Sequence, residues 1–189
     1  TRFLCVTGVQ TCALPILSLP ENNWKKALNA LLPDDMHIQG VKDVPMTFHA
    51  RFDAVEKEYR YFISHTKDKD VFKRNYAFQY PYPLNIEAIQ EACAHLKGEH
   101  DFTTFSSVKT AVKGSKVRSL SIVNCLQQGT DIELIFRGNG FLYNMVRIMV
   151  GTLIDVGQGK LKPSDIPVLL EKKDRTSAGK TAPPQGLFL

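Results

Sequence analysis

The chain has 189 residues, of which 43% are hydrophobic, and a formal net charge of +5. Its length supports one large or two small cores, and the absence of an apolar run of 18 residues excludes a spanning helix, which predicts a soluble protein. The positive net charge favours a folded protein with a basic surface that binds a polyanion. A basic enzyme that acts on small substrates fits the charge equally well.

The four cysteines, Cys5, Cys12, Cys93 and Cys125, show no CxxC pair and no Cys/His spacing typical of zinc. We therefore predict reduced thiols and no metal. Residues 1–16 have a single cation and no small-residue cleavage site, which is untypical of a signal peptide. We expect a cytoplasmic protein with no membrane association.

Within the same first 16 residues, residues 6–16 show no helical or strand period, and the segment resembles the translation of a sequencing-adapter oligonucleotide. We expect them to be a non-native segment, and the natural protein to continue upstream of about Leu17. The alternative is a genuine, irregular N-terminal arm.

The first predicted helix covers residues 21–32, with Trp24, Leu28 and Leu31 on one face. Residues 36–44 are predicted to be extended. A strand follows over residues 57–65.

In that strand, alternation places Tyr59 and Tyr61 on one face and Arg60 on the other. A second helix is predicted after Asn85, its N-cap, with Gly98 ending it. Its apolar stripe consists of Ile86, Ile89, Cys93 and Leu96.

Residues 118–126 and 131–137 predict a hairpin with its turn at Gly129. The remaining predicted elements are helices over residues 143–156 and 164–173 and the start of a strand over residues 186–189. This order predicts an α+β fold, a mostly antiparallel sheet with helices on one face. The open face of such a sheet is a common RNA-binding platform.

Arg147 is a lone cation within the apolar helix predicted over residues 143–156. A buried guanidinium requires a compensating anion, and Asp155 lies two turns away at the helix end. We therefore expect a carboxylate from a distant part of the fold or from outside this chain. In its absence, removal of the cation would stabilise the chain.

A cluster of aromatic and basic side chains, typical of phosphate binding and base stacking, occupies residues 48–61. Its cations and histidine are His49, Arg51 and Arg60. An ordinary strand with tyrosines at a core edge is the plainer alternative. His49 fits a hydrogen-bonding loop residue better than a general base. A possible His100/Asp101 acid–base pair is disfavoured, because a turn after the helix explains that segment.

Five separated motifs together resemble the tRNA pseudouridine synthase A family. They are Phe-His-Ala-Arg-Phe at 48–52, Tyr-Arg-Tyr at 59–61, Gly-x-His-Asp-Phe-x-x-Phe at 98–105, Phe-Leu-Tyr-Asn-Met-Val-Arg at 141–147, and Lys-Asp-Arg-x-x-Ala-Gly-x-Thr-Ala-Pro at 173–183 followed by Gly-Leu-Phe-Leu at 186–189. The resemblance covers about residues 17–189.

This resemblance implies a pseudouridine synthase-like fold and an isomerase that converts uridines of the tRNA anticodon stem-loop to pseudouridine. It also implies no metal or organic cofactor, tRNA as partner, and a homodimer. The family's nucleophile is the aspartate of a Gly-Arg-Thr-Asp-Ala-Gly-Val-His motif, which does not occur in this sequence. We therefore expect the nucleophile upstream of this chain and the chain itself to be inactive.

By correspondence with the family, Tyr59 stacks on the target uridine and Arg147 supports catalysis by pairing with the nucleophilic aspartate. The further expected substrate-binding residues are His49, Arg51, Arg60 and Tyr143.

The expected domains are residues 17–46, the end of an N-terminal domain, and 47–189, a truncated C-terminal domain. The alternatives are a non-catalytic RNA-binding α+β domain and a generic α+β fold with incidental charge.

Overall fold

The structure, a computed structural model, describes residues 19–107 and 114–189 in full, and only the backbone of residues 2–6 and 9–13. The chain divides into two compact units, Thr1–Val55 and Glu56–Leu189. Within the described ranges, no helix is long and apolar enough to cross a membrane.

The first unit contains an antiparallel pair of strands, β1 (Arg2–Val6) and β2 (Val9–Ala13). These strands form although the sequence of this segment shows no strand period. Helix α1 (Glu21–Asn29) is shorter than predicted and buries no side chain. Leu31 lies beyond α1 and is 86% exposed, because the helix ends before the predicted stripe is complete.

The segment predicted to be extended over residues 36–44 joins no sheet. Its buried residue is Ile38, which packs beside α1. The backbone N–H of Ile38 donates to Asn29 Oδ1 at 2.7 Å, and the Asn29 amide donates back to the Ile38 carbonyl at 2.9 Å. The backbone N–H and C=O of Ile38 are therefore both hydrogen-bonded, although no neighbouring strand is present to pair with them.

The second unit contains one six-stranded sheet. Its strands are β3 (Lys57–Ser64), β4 (Phe78–Gln79), β5 (Gly98–Asp101), β6 (Val117–Gln128), β7 (Asp131–Gly138) and β8 (Leu187–Phe188). Their spatial order is β4-β3-β7-β6-β5, with β8 also paired to β3. All described pairings except the two-residue β3–β4 contact are antiparallel, which confirms the predicted sheet.

Among the described residues of this unit, three α-helices pack with the sheet: α2 (Ile86–Leu96), α3 (Met145–Gly157) and α4 (Asp165–Lys172). The predicted cap of α2 is confirmed, because Asn85 Oδ1 accepts the Ala88 N–H at 2.9 Å. The predicted hairpin is also confirmed as β6 and β7, with Gly129 at φ 59° in the turn. That backbone conformation is one that glycine adopts without strain.

Alternation along the strands separates the two faces of the sheet. Side chains on one face are buried in the core with α2, α3 and α4; in β3 and β7 they are Tyr61, Ile63, Ile132, Leu134 and Phe136. The other face carries Arg60, Glu133 and Leu126, none of them buried. This arrangement confirms an α+β fold with helices on one face.

Candidate functional site

The candidate site is built where a loop crosses α3. We call residues 178–183 the α3 strap. The Gly179 N–H donates to Thr152 Oγ1 at 3.0 Å, and the Ala182 N–H donates to the Arg147 carbonyl at 2.9 Å. Gly151 of α3 permits this approach, because a Cβ there would overlap the Lys180 carbonyl oxygen. The strap therefore lies directly on the helix backbone.

Arg175 shapes the chain as it enters the strap. Its Nη1 donates to the carbonyl oxygens of Ala178 at 3.3 Å and Gly179 at 3.0 Å, and its Nη2 donates to Thr181 Oγ1 at 3.2 Å. One planar guanidinium thus ties together three points of a segment without regular secondary structure. Arg175 belongs to the motif at 173–183, but its role could not be predicted from the sequence, because its partners are mostly backbone atoms.

Arg147 lies on the first turn of α3 and is half-buried, whereas a buried cation was predicted. Its Nε donates to the Ala182 carbonyl at 2.7 Å, and its Nη1 donates to Asn144 Oδ1 at 3.2 Å. Across residues 19–107 and 114–189 no carboxylate forms an ion pair with it. Neutral oxygens and partial solvent contact replace the expected anion.

Tyr61 of β3 is anchored to the same strap. Its hydroxyl donates to the Pro183 carbonyl at 2.7 Å, and its side chain is fully buried. Burial raises the pKa of Tyr61, and the nearby charge of Arg147 acts in the opposite direction. Tyr61 and Arg147 are therefore electrostatic neighbours that bind adjacent strap carbonyls, a relationship that strand alternation alone could not reveal.

Tyr59 lies two residues from Tyr61 on the same face of β3, opposite Phe136 of β7. It is half-buried, and its ring meets the edge of Phe141 with centroids 5.0 Å apart. Burial raises its pKa, so the hydroxyl remains protonated at neutral pH. Among the described residues this hydroxyl has no hydrogen-bond partner, which leaves it available to a ligand.

Tyr143 lies between Phe141 and α3, and its side chain is 57% exposed. Its carbonyl accepts the Ser107 N–H at 3.1 Å, which fixes the backbone while the phenol remains in solvent. An exposed aromatic ring at the start of α3 is suited to contact a large ligand.

Arg60 lies on the opposite face of β3 from Tyr59, so the structure does not bring these two predicted residues together. Its guanidinium pairs with Glu58 at 2.8 Å and with Glu133 at 2.9 Å. Glu58 also binds Arg137. These carboxylates hold the pKa of Arg60 above its usual value and offset much of its charge toward an anionic ligand.

His49 and Arg51 belong to the first unit. His49 Nδ1 accepts the backbone N–H groups of Arg51 at 3.3 Å and Phe52 at 3.2 Å, as expected for a hydrogen-bonding loop histidine. The His49 and Phe52 rings pack with centroids 4.2 Å apart. The Arg51 guanidinium lies 5.7 Å from the Phe52 centroid, and its exposed position leaves its charge accessible.

His100 and Asp101 do not form a pair. His100 Nε2 lies 3.0 Å from the Lys97 carbonyl, whereas Asp101 accepts from Thr103 and forms an ion pair with Lys173 at 2.9 Å. The predicted turn is wrong in part, because residues 98–101 form β5 through pairing with β6. In the described part of the chain, no three His, Cys, Asp or Glu side chains lie close enough together to hold a metal ion.

Comparison with known proteins gives a consistent result. A family model described as tRNA pseudouridine synthase matches residues 92–189. The chain is also similar to proteins named tRNA pseudouridine synthase A: that of Oceanobacillus iheyensis is 58% identical over 173 residues, which is 92% of this chain and 68% of the relative. The Bacillus velezensis and Bacillus subtilis proteins are 50% and 49% identical, each over 92% of this chain and 70% of the relative.

Proposed function

Because this chain belongs to the tRNA pseudouridine synthase family, we propose that it is part of an isomerase that converts uridines of the tRNA anticodon stem-loop to pseudouridine. The observation that carries this proposal is the Arg147 site, which lies in the segment matched by the family model and is fixed by the α3 strap. Action on tRNA agrees with the net charge of +5. A cytoplasmic location is part of the same proposal.

The proposed isomerisation needs only a few side chains, because its atoms and electrons balance within the substrate. The bond between ribose C1′ and uracil N1 breaks, and a bond between C1′ and C5 forms. C5 loses a proton and N1 gains one, so no electrons are consumed. A carboxylate nucleophile, a stacking ring and a cation that keeps the carboxylate ionised supply the required chemistry. A uridine inside a stem must also be flipped out of the stack.

In this proposal Tyr59 stacks on the flipped uridine through its half-buried ring, and its free hydroxyl takes part in proton transfer. Arg147 pairs with the nucleophilic aspartate through the N–H groups that Asn144 and Ala182 leave free. His49, Arg51 and Tyr143 contact the tRNA beyond the uridine. Arg60 contributes less, because two carboxylates already bind it.

The nucleophile itself is proposed to lie outside these 189 residues, because the sequence contains no Gly-Arg-Thr-Asp motif. The match covers 68% of the Oceanobacillus protein, so about a third of that relative has no counterpart here. We propose that residues 1–16 are non-native, that 17–46 end an N-terminal domain, and that 47–189 belong to the C-terminal domain of a homodimer. The chain alone is then inactive.

A chimera tests this assignment. The part of the Oceanobacillus protein that precedes the matched region is joined to residues 17–189, and both chimera and chain are assayed for pseudouridine on unmodified tRNA. We expect product from the chimera alone, and none after its motif aspartate is changed to asparagine. Product from the 189-residue chain that requires Asp53 or Asp101 would overturn the proposal. A monomeric active chimera in sedimentation would contradict the homodimer.

Binding measurements separate the enzyme from a non-catalytic RNA-binding domain. We expect the chain to bind tRNA weakly, with affinity that falls steeply with salt concentration. Arg51→Ala should reduce both affinity and salt slope, because Arg51 is exposed; Arg60→Ala is the matched control and should have less effect. Binding that persists in a chimera unable to form pseudouridine would favour the RNA-binding domain instead.

A further inference from the structure

Asn144, the residue before α3, has an unusual backbone for its position. Its φ of 59° is left-handed, and among the described non-glycine residues only Lys173, at φ 52°, shares this feature. An asparagine at a helix start usually accepts a backbone N–H of the first turn, but the Asn144 side chain makes no such bond. Its backbone strain therefore does not serve helix capping.

The side chain of Asn144 instead binds Arg147. Its Oδ1 accepts from Arg147 Nη1 at 3.2 Å, while the Ala182 carbonyl accepts from Nε at 2.7 Å. Because a guanidinium only donates, the amide oxygen of Asn144 is the atom that faces it. Two acceptors on different sides of a planar group fix both its position and its plane.

Three of the five N–H groups of Arg147 remain, one on Nη1 and two on Nη2, and none has a partner in the described residues. Arg147 is half-buried, and none of its nitrogens is among the described buried atoms without a partner, so its unpartnered Nη2 keeps contact with solvent. The free N–H groups on Nη1 and Nη2 can donate to the two oxygens of one carboxylate.

We propose that Asn144 is a positioning residue for the isomerisation: its left-handed backbone directs the amide oxygen to Arg147 Nη1, which orients the free N–H groups toward the nucleophilic carboxylate. This inference rests on the proposed function.

Two substitutions of Asn144 separate orientation from folding. Asn144→Gly adopts a φ of 59° without strain and keeps the backbone, but it removes the acceptor. Asn144→Asp keeps the shape and places a carboxylate beside Nη1, where it competes with the nucleophile for the cation. Lys173→Gly is the matched control, because it relieves the same backbone strain without touching Arg147.

The chimera described above carries the three substitutions. For Asn144→Gly we expect kcat to fall about 10- to 100-fold, as for a slightly misplaced catalytic group, with KM nearly unchanged and the protein still folded at the assay temperature. Asn144→Asp should also lower kcat, and Lys173→Gly should leave kcat unchanged. A kcat of Asn144→Gly within about twofold of the parent would overturn the inference.

Nuclear magnetic resonance of the 189-residue chain tests the geometry without activity. The Arg147 guanidinium signals, assigned by their loss in Arg147→Lys, should show slow rotation in the parent chain and faster rotation in Asn144→Gly. Unchanged rotation would refute the orienting contact whatever the chimera does. If rotation changes but the unsubstituted chimera forms no pseudouridine, the proposed function fails, and the catalytic part of this inference fails with it.

Discussion

Gly151 of α3 lies so close to Lys180 of the α3 strap that a Cβ on the glycine would overlap the lysine carbonyl oxygen. Gly179 approaches from the strap side, where an added Cβ would lie 2.7 Å from the Gly151 carbonyl carbon. The two glycines therefore set the distance between α3 and the carbonyls that bind Arg147 and Tyr61.

Gly151→Ala should displace the strap and lower the free energy of unfolding by about 1–3 kcal/mol, the usual cost of overpacking. The backbone cannot yield as a flexible side chain would. Chemical denaturation measures the change. Gly140→Ala is the control, because its Cβ would meet only the Arg118 side chain at 3.5 Å. Equal stability of the two variants would show that the strap moves freely.

Arg147→Met should lower the free energy of unfolding of this chain by about 1–2 kcal/mol, because the Ala182 carbonyl and the Asn144 amide lose a charged donor. This sign is opposite to the one expected for an uncompensated cation on an apolar helix. Denaturation of the two proteins decides between them. Arg74→Met, at an exposed arginine, is the control and should change stability by less than about 0.5 kcal/mol.

The second unit was predictable because its local patterns agree with its packing. Ile132, Leu134 and Phe136 alternate in sequence and face the core, and Gly129 occupies the turn that joins β6 and β7. Strand β5 was not predictable, since Glu99 and its neighbours have no apolar alternation. Pairing with β6, rather than burial, makes this segment a strand.

The site was predictable only in part. Arg147 is conspicuous because it interrupts an apolar helix, and Tyr59 because it belongs to an aromatic strand. The acceptors of Arg147 were hidden, because the Ala182 carbonyl lies 35 residues away and a backbone atom leaves no mark in a sequence pattern. The single acceptor that a sequence could suggest is Asn144, three residues before Arg147.

Stability should fall at acidic pH in a way that depends on Asp101. Hydrogen bonds from Thr103, followed by the Lys173 cation, hold the pKa of Asp101 below its usual value. A depressed folded-state pKa stabilises the protein above the unfolded-state value of about 4, and this contribution is lost as pH falls through the folded-state pKa.

Denaturant midpoints measured from pH 6 to pH 2 test this dependence. Asp101→Asn should lower stability at pH 6 and make the decline below about pH 4 shallower. Asp68→Asn is the control, because the Asp68 side chain is exposed and forms no ion pair or hydrogen bond among the described residues. An acid limb that is identical in the parent and Asp101→Asn would exclude a contribution from this carboxylate.

Cys93 and Cys125 should not react with a thiol reagent in the folded protein. Both are buried, and burial raises the pKa of Cys93 and raises that of Cys125 to about 11. The thiolate is the reactive form, and a thiol with a pKa raised so far is almost entirely protonated at pH 8. Modification should therefore require unfolding.

The measurement uses a variant with Cys5→Ser and Cys12→Ser, so that only these two thiols respond to dithiobisnitrobenzoate at pH 8. We expect the rate to rise with denaturant in parallel with global unfolding, because the thiols become accessible only then. As a positive control, an added Asn75→Cys at an exposed position should react at once in native buffer, which shows that the reagent is active. Rapid native modification of either buried thiol would mean that α2 separates from β6 while the rest of the unit stays folded, since Cys93 and Cys125 lie on those two elements.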